Sequence, residues 1–246
     1  MQKLDKILKP KYSYNLVRVG NKHDGGYLIG SSTLSKSNCL VSLGIRLEFT
    51  FEKNFYETYK KKIFTFDRNY FKHYFKEDFL ISLNELRNFN LKKIFGIVKN
   101  FIKIKKYEKK LNFSKKLITY NSISEIINSL PIKENILLKV DIDGAEYRTL
   151  DCILKNQSKI IGLIIEFHDI DLHFEKIVHF INNFNLKISH IHANNFGIAD
   201  KRGNPTVIEM TFEKDPEIIG DNVEIPNKID NKNNPLKKDF TDYFDK

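Results

Sequence analysis

The sequence predicts an α/β fold built on a mostly parallel sheet with helices on both faces. Short apolar runs typical of strands alternate with stretches of helical spacing along most of the chain. A strand, a helix and a second strand follow one another over 38–66, which is the arrangement of a right-handed βαβ unit. With 246 residues, 41% of them hydrophobic, the chain is long enough for one such domain around a substantial core.

The elements are predicted in the following order. A hairpin at about 16–30 comes first, and its loop contains Asp24 followed by two glycines. Six or seven strands of the main sheet are expected, at 38–44, 61–66, 117–120, 136–141, 162–167, 187–192 and 206–212. Helices are expected between them at 47–59, 122–130, 146–154 and 172–183. Ser122 and Glu125 have the spacing of a capping box at the start of the second of these helices.

Two segments depart from this rhythm. The stretch at about 77–116 is rich in lysine and is predicted to be a basic helical insert, serving as a solvated face, a substrate-capturing cap or a membrane-surface helix. Residues 214–246 are polar and are expected to form a tail of low structural content. The prediction is therefore a single domain over 1–213 with a C-terminal tail.

Composition limits the classes of function. The net charge of +10 favours an anionic partner. Cys39 and Cys152 are far apart and have no metal-binding spacing, which argues against a disulfide scaffold or a zinc finger. No stretch is apolar enough to span a membrane, and the first residues do not resemble a signal peptide, so a cytoplasmic location without integral membrane association is expected.

Chemistry-bearing residues follow the carboxyl ends of the predicted strands, where ligands bind in open α/β sheets. They are Gly44, Asp67, Asp141, Asp143, Glu166, His168, His192, Asn194 and Asn195. Gly44 allows a ligand to approach the backbone, and Asp67 follows it by about 20 residues, the spacing of an acidic residue that binds ribose hydroxyls. The glycine-rich phosphate cradle of dinucleotide enzymes is missing from the sequence, which argues against a nucleotide-dependent oxidoreductase. S-adenosylmethionine, which contains ribose but no phosphate, is compatible with this pattern.

The run LLKVDIDGAEYRTL at 137–150 resembles the signature of FkbM-type S-adenosylmethionine-dependent methyltransferases. VSLGI at 41–45 and FTFD at 64–67 are similar to the first and second motifs of that family, and the likeness extends over about 18–212. The resemblance implies a class I methyltransferase fold, a seven-stranded Rossmann-like sheet whose last strand is antiparallel. It also implies that Gly44 lines the methyl donor, Asp67 holds the ribose, Ser122 lies near the adenine, and Asp141 sits between donor and acceptor.

Members of this family commonly methylate hydroxyl groups of sugars, and such a hydroxyl needs a base or a divalent cation to help remove its proton. Asp141 and His168 are the candidate catalytic residues. Candidate ligands for Mg²⁺ or Mn²⁺ are Asp141, Glu166, His168 and His192. Candidate acceptor contacts are His192, Asn194 and Asn195.

Because small sugars reach cytoplasmic enzymes as nucleotide conjugates, the expected acceptor is a nucleotide-linked or otherwise phosphorylated sugar for a surface polysaccharide, and no nucleic-acid partner is expected. The alternative is a basic module that binds nucleic acid or a membrane surface through its lysine-rich insert.

Overall fold

The computed structural model describes residues 3–45, 48–68, 102, 106–107, 109–241 and 243–245. Most of the basic insert predicted at 77–116 lies outside these residues. Three short strands precede the main sheet: β1 (Ser13–Tyr14), β2 (Leu16–Gly20) and β3 (Gly26–Gly30). Strands β2 and β3 form an antiparallel hairpin of their own.

The main sheet has seven strands among the described residues. In chain order they are β4 (Cys39–Leu43), β5 (Lys62–Asp67), β6 (Phe113–Lys115), β7 (Ile136–Val140), β8 (Ile160–Phe167), β9 (Lys187–Ala193) and β10 (Ile208–Glu213). A last short strand, β11 (Ile218–Gly220), pairs with β1 outside this sheet.

The spatial order of the main sheet is β6-β5-β4-β7-β8-β10-β9. Its strands β6, β5, β4, β7 and β8 pair in parallel, whereas β10 is antiparallel to both β8 and β9. This order, with the last strand inserted antiparallel between its two predecessors, is the topology of the class I methyltransferase fold. The predicted fold class is confirmed.

Helices cover both faces of the sheet. They are α1 (Ser31–Lys36), α2 (Thr50–Tyr59), α3 (Ser122–Ser129), α4 (Leu150–Asn156) and α5 (Ile170–Asn183). Apolar side chains of α3, α4 and α5 pack into one core cluster with β7 and β8. A second cluster joins α1, α2 and the β2–β3 hairpin to the other face. Strands β4, β7 and β8 are buried along their whole length because both faces are covered.

Three local predictions need correction. The strand expected at 117–120 is instead β6, because residues 113–115 pair with the end of β5 and the ladder closes where Lys116 N donates to Asp67 O. The helix expected at 146–154 begins with a 3₁₀ turn at Glu146–Arg148, and α4 starts only at Leu150. No capping box forms at Ser122, whose hydroxyl accepts a hydrogen bond from Thr119 N, outside the helix.

The C-terminal segment, 214–245, differs from the extended tail that its polar sequence predicts. It contains little regular structure beyond β11, but Tyr243 and Phe244 are buried in the larger core cluster, and Tyr243 O accepts a hydrogen bond from Leu4 N. Asn233 is also buried. The segment therefore folds back against the domain. Among the described residues, no helix combines the length and the apolar composition that crossing a membrane requires.

Candidate functional site

A cavity of about 330 Å³ opens at the carboxyl ends of β4, β7 and β8. The loop of the β2–β3 hairpin, the start of α2 and the residues after β9 complete its wall. Strand β4 pairs with β5 on one side and β7 on the other. The chain runs from β4 outward to β5 and β6, and then crosses back to β7 on the opposite side of β4. The cavity therefore lies at the switch point of the sheet, where open α/β folds bind ligands.

Five of the predicted site residues line this cavity, and three of them, all predicted metal ligands, come together in it. Asp141 follows β7, Glu166 lies near the end of β8, and His168 follows β8. Each offers a ligand atom, and the three atoms lie within 4.8 Å of one another. His168 Nε2 is 3.5 Å from Glu166 Oε1. The fourth predicted ligand, His192, is not part of this group.

The chemistry of this cluster fits a divalent cation. Two carboxylates and an imidazole suit Mg²⁺ or Mn²⁺. Burial raises the pKa of Glu166 well above its usual value, and the negative charge of Asp141 adds to this effect. A bound cation would reverse this balance, because it stabilises the ionised carboxylate.

Glu146 orients His168 within the cluster. The Glu146 side chain is fully buried, and its Oε1 lies 3.1 Å from His168 Nδ1. The same oxygen accepts hydrogen bonds from the backbone N–H groups of Ile142 and Gly144. A carboxylate only accepts, so Nδ1 carries the proton and Nε2 faces Glu166. Burial opposes a charge on His168, but the hydrogen bond and the charge of Glu146 outweigh it and raise the pKa of His168.

A second set of buried groups holds Asp141. Tyr27, on β3, donates its hydroxyl to Asp141 Oδ2 at 3.0 Å. Lys139, buried within β7, lies 3.7 Å from the same oxygen and 3.5 Å from Glu52 Oε1. Burial raises the pKa of Tyr27 well above its ordinary value, with Asp141 adding to the shift, so this hydroxyl remains a donor. These residues fix the Asp141 carboxylate within its cluster with Glu166 and His168.

The structure explains the need for a glycine at position 44 differently from the sequence. Gly44 has φ of +77°, and a Cβ there would lie 1.6 Å from the carbonyl oxygen of Asp141. The absent side chain thus makes room for the chain after β7, not for a ligand. Gly44 still lines the cavity.

Asp67 and Ser122 lie outside the lining of this cavity. Asp67 ends β5 and is buried, and its Oδ2 accepts a hydrogen bond from Ile45 N at 3.2 Å. It is therefore tied to the loop that follows Gly44. Ser122 is buried at the start of α3.

The structure does not bring His192 to the cluster of Asp141, Glu166 and His168. His192 is buried on β9, and its Nδ1 lies 3.3 Å from Glu209 Oε2 on β10. Strand β10 separates β9 from β8, so His192 is one strand further from Glu166 than a regular order of strands would place it.

The two predicted asparagine contacts also have structural partners. Asn194 lines the cavity, donates to Glu166 Oε1 at 3.0 Å and accepts from Phe196 N at 2.9 Å. Asn195 instead faces the C-terminal segment: its amide donates to Asn234 O and accepts from Asn234 N. Of this pair, only Asn194 is placed where an acceptor could be reached.

Tyr27, Lys139, Glu48 and Asp24 belong to the site but to none of the motifs that the sequence predicts for it. Lys139 carried a usable signal, because a lysine within the apolar run of β7 must find a partner when the strand is covered on both faces. Tyr27 and Asp24 lie more than a hundred residues before Asp141, and only the folded hairpin brings them to it.

Comparisons with known proteins find similarity among solved structures. No protein-family model and no curated protein matches the chain. Among solved structures, M. capricolum TrmK, in complex with S-adenosyl-homocysteine, is 15% identical, with 76% of this chain and 67% of that chain covered and a TM-score of 0.38.

A precorrin-6y C5,15-methyltransferase from Geobacter metallireducens is 13% identical, with 75% and 87% covered and a TM-score of 0.40. The Methanococcus jannaschii fibrillarin pre-rRNA processing protein is 10% identical, with 87% and 86% covered and a TM-score of 0.42. The assignment of the class I methyltransferase fold rests on the strand order and the antiparallel β10, not on these alignments.

Proposed function

We propose that this chain is an S-adenosylmethionine-dependent methyltransferase that methylates a sugar hydroxyl with the help of a divalent cation. The observation that carries the proposal is the placement of two sets of residues at one sheet edge. Gly44 follows β4 and Asp67 ends β5, on one side of the switch point. The cluster of Asp141, Glu166 and His168 lies on the other side. A donor site and an acceptor site would thus be adjacent.

On the donor side, Asp67 is the acceptor for the ribose hydroxyls, with Ile45 N holding its carboxylate in place. S-adenosylmethionine supplies a methyl group on a positively charged sulfur. The acceptor oxygen forms a bond to the methyl carbon while the carbon–sulfur bond breaks, and the electron pair of that bond remains on sulfur. The hydroxyl proton must then leave the oxygen.

On the acceptor side, His168 Nε2 is the nitrogen that can take this proton, because His168 Nδ1 is already hydrogen-bonded to Glu146. The same nitrogen could instead bind a metal ion together with Asp141 and Glu166. A divalent cation there would lower the pKa of the acceptor hydroxyl. We favour the cation, because two carboxylates converge with the imidazole, whereas a lone base needs only one orienting partner.

The charge of the cavity bears on the acceptor. Its described lining has six carboxylates and one lysine, namely Asp24, Glu48, Glu52, Asp141, Asp143, Glu166 and Lys139. A phosphate would be repelled from this wall, so the anionic partner that the net charge favours would not place its phosphate in the described part of the cavity. If the sugar is nucleotide-linked, its uncharged ring enters the cavity and the nucleotide remains outside.

Calorimetry with S-adenosylhomocysteine tests the donor site. We expect the wild type to bind, and Asp67→Ala to bind about 1.5 to 3 kcal/mol more weakly, the range for losing a hydrogen bond to a charged group. Asp215→Ala, at an exposed carboxylate outside the cavity, is the control and should bind as the wild type does. If the wild type shows no binding, the methyltransferase proposal is wrong.

Electron paramagnetic resonance of free Mn²⁺ tests the metal without requiring the acceptor. We expect one bound ion in the wild type and at least tenfold weaker binding in His168→Ala, since the cluster would lose one of three ligands. Undiminished methyl transfer in chelator, once an acceptor is found, would favour His168 as a lone base.

A further inference from the structure

Phe196 lines the cavity in the loop that follows β9. Of the phenylalanines that the structure describes, it alone is exposed, with 51% of its surface open to solvent. Its backbone N–H and carbonyl both take part in hydrogen bonds, so the open surface is mainly that of the aromatic ring. A single exposed apolar side chain is ordinary on a protein surface, but aromatic rings among a few polar groups are typical of pockets that bind small molecules.

The loop holds Phe196 in a fixed position. Phe196 N donates to Asn194 Oδ1 at 2.9 Å, and Gly197 N donates to the carbonyl of Asn194 at 3.2 Å. From the C-terminal segment, Lys237 Nζ donates to the carbonyl of Phe196 at 3.1 Å. Gly197 packs so closely on Val207 that a Cβ there would lie 2.8 Å from Val207 Cγ2. The chain cannot shift on either side of Phe196 without breaking one of these contacts, so Phe196 stays at the cavity wall.

Two consecutive hydrogen bonds connect Phe196 to Glu166, a member of the cluster that fits a divalent cation. Asn194 accepts from Phe196 N through Oδ1 and donates from Nδ2 to Glu166 Oε1 at 3.0 Å. Asn194 is buried, so this connection is shielded from water. A ligand that stacks on the ring is therefore held at a defined position relative to the groups that would activate its hydroxyl.

An aromatic ring beside carboxylates suits a sugar. A pyranose has C–H groups on one face that pack on an aromatic ring, and hydroxyl groups at its rim that donate hydrogen bonds to carboxylates. A purely apolar ligand would leave the carboxylates of the wall without donors. An organic cation is the competing ligand, because it is attracted both to aromatic faces and to carboxylates. A metal ion bound by Asp141, Glu166 and His168 would weaken that attraction, which favours the neutral sugar.

We propose that Phe196 is the platform on which the C–H face of the acceptor sugar stacks, and that it thereby selects the hydroxyl that reaches His168 and the cation. This inference rests on the proposed function and deepens it, since it assigns acceptor specificity to a residue outside the motifs at the strand ends. Phe196 binds the sugar and takes no part in the transfer of the proton or of the methyl group.

A single tryptophan can report on this contact, because the chain contains no tryptophan of its own. Phe196→Trp keeps an aromatic face at the platform. Ile198→Trp, at an exposed position outside the cavity lining, is the matched control. The tryptophan emission of each variant is measured during titration with the methyl pyranosides of glucose, galactose and mannose, and with choline as an organic cation. S-adenosylhomocysteine and Mn²⁺ are present throughout.

We expect a saturable shift of the emission in Phe196→Trp with at least one of the three glycosides, and no shift in Ile198→Trp. A response to choline alone would overturn the proposal in favour of a cationic acceptor. The absence of a response to every glycoside would also overturn it. So would equal shifts in the two variants, because the sugar would then contact the loop from outside the cavity.

A second measurement separates stacking from apolar contact. Phe196→Leu keeps an apolar side chain but has no flat face, whereas Phe196→Tyr keeps the ring. Saturation-transfer NMR with the glycoside that binds should show about three- to tenfold weaker binding in Phe196→Leu, the range for losing a ring-stacking contact, and near wild-type binding in Phe196→Tyr. Equal affinities in Phe196→Leu and the wild type would refute a role for the ring.

Calorimetry with S-adenosylhomocysteine distinguishes failure of this inference from failure of the proposed function. If the wild type binds S-adenosylhomocysteine but the glycoside experiments fail, only the platform is wrong. If the wild type does not bind S-adenosylhomocysteine, the proposed function fails, and this inference fails with it.

Discussion

Gly44→Ala should be among the most destabilising single substitutions in the sheet. The backbone at Gly44 has φ of +77°, a region that costs a residue with a side chain roughly 1–2 kcal/mol. The added methyl would also overlap the carbonyl of Asp141 at 1.6 Å, and neither backbone can yield without disturbing the hydrogen bond from Asp141 N to Leu43 O. Overpacking of this kind typically costs about 1–3 kcal/mol.

The two contributions together predict a loss of about 2–5 kcal/mol in the free energy of unfolding, measured by urea denaturation. Gly203→Ala is the matched control, since Gly203 has φ of +84° but a Cβ there would contact nothing within 4 Å. Replacing glycine by alanine also stabilises a protein by lowering the conformational entropy of its unfolded chain. This stabilisation is common to both variants and cancels when their free energies of unfolding are compared. Equal losses in the two variants would refute the argument that the Asp141 carbonyl excludes a side chain at Gly44.

Three further outcomes can be measured. Lys139→Met should destabilise the fold by about 3–5 kcal/mol in urea, because it leaves the Glu52 charge buried and unpaired, and adding Glu52→Gln should restore part of the loss. His192 is buried, which alone would lower its pKa, but the hydrogen bond and charge of Glu209 raise it above 6.5. Its contribution to stability is therefore full below pH 6.5 and lost as the pH rises through the raised pKa. Urea midpoints from pH 6 to 9 should fall in the wild type and fall less in His192→Asn, where the raised pKa of His168 still contributes. Glu166→Gln should raise the thermal midpoint of the metal-free protein, because it removes a buried charge beside other carboxylates. It should also abolish the further increase in midpoint that Mn²⁺ gives the wild type. An increase of equal size in both proteins would exclude Glu166 as a ligand.

The sheet is predictable because its information is local. Apolar runs separated by helical spacing identify β4, β5, β7 and β8, and the parallel arrangement of these strands is enough to place Asp141, Glu166 and His168 at one edge. The error at β6 is also local: residues 117–120 are more strand-like in composition than Phe113–Lys115, yet pairing with β5 selects the latter.

The residues that the sequence does not place depend on long-range order. Chain order groups His192 with Glu166 because their strands follow one another, but β10 inserts between them. Glu146 is visible in the sequence only as part of a motif, since its hydrogen bond to His168 joins residues that are 22 positions apart in the chain. Asn195 has the sequence context of a ligand contact, but the C-terminal segment, which has no periodic pattern, supplies its partners.

The antiparallel insertion of β10 also constrains the order in which the chain can fold. Among the strands that the structure describes, β9 pairs within the main sheet with β10 alone, so it can take its native place only once β10 has formed. During that interval β8, which is long and apolar, presents an open edge to solvent and to other chains. A polypeptide interrupted between β9 and β10 would hold both strands in an aggregation-prone state, and completion of β10 would close the edge and recruit β9 in one step.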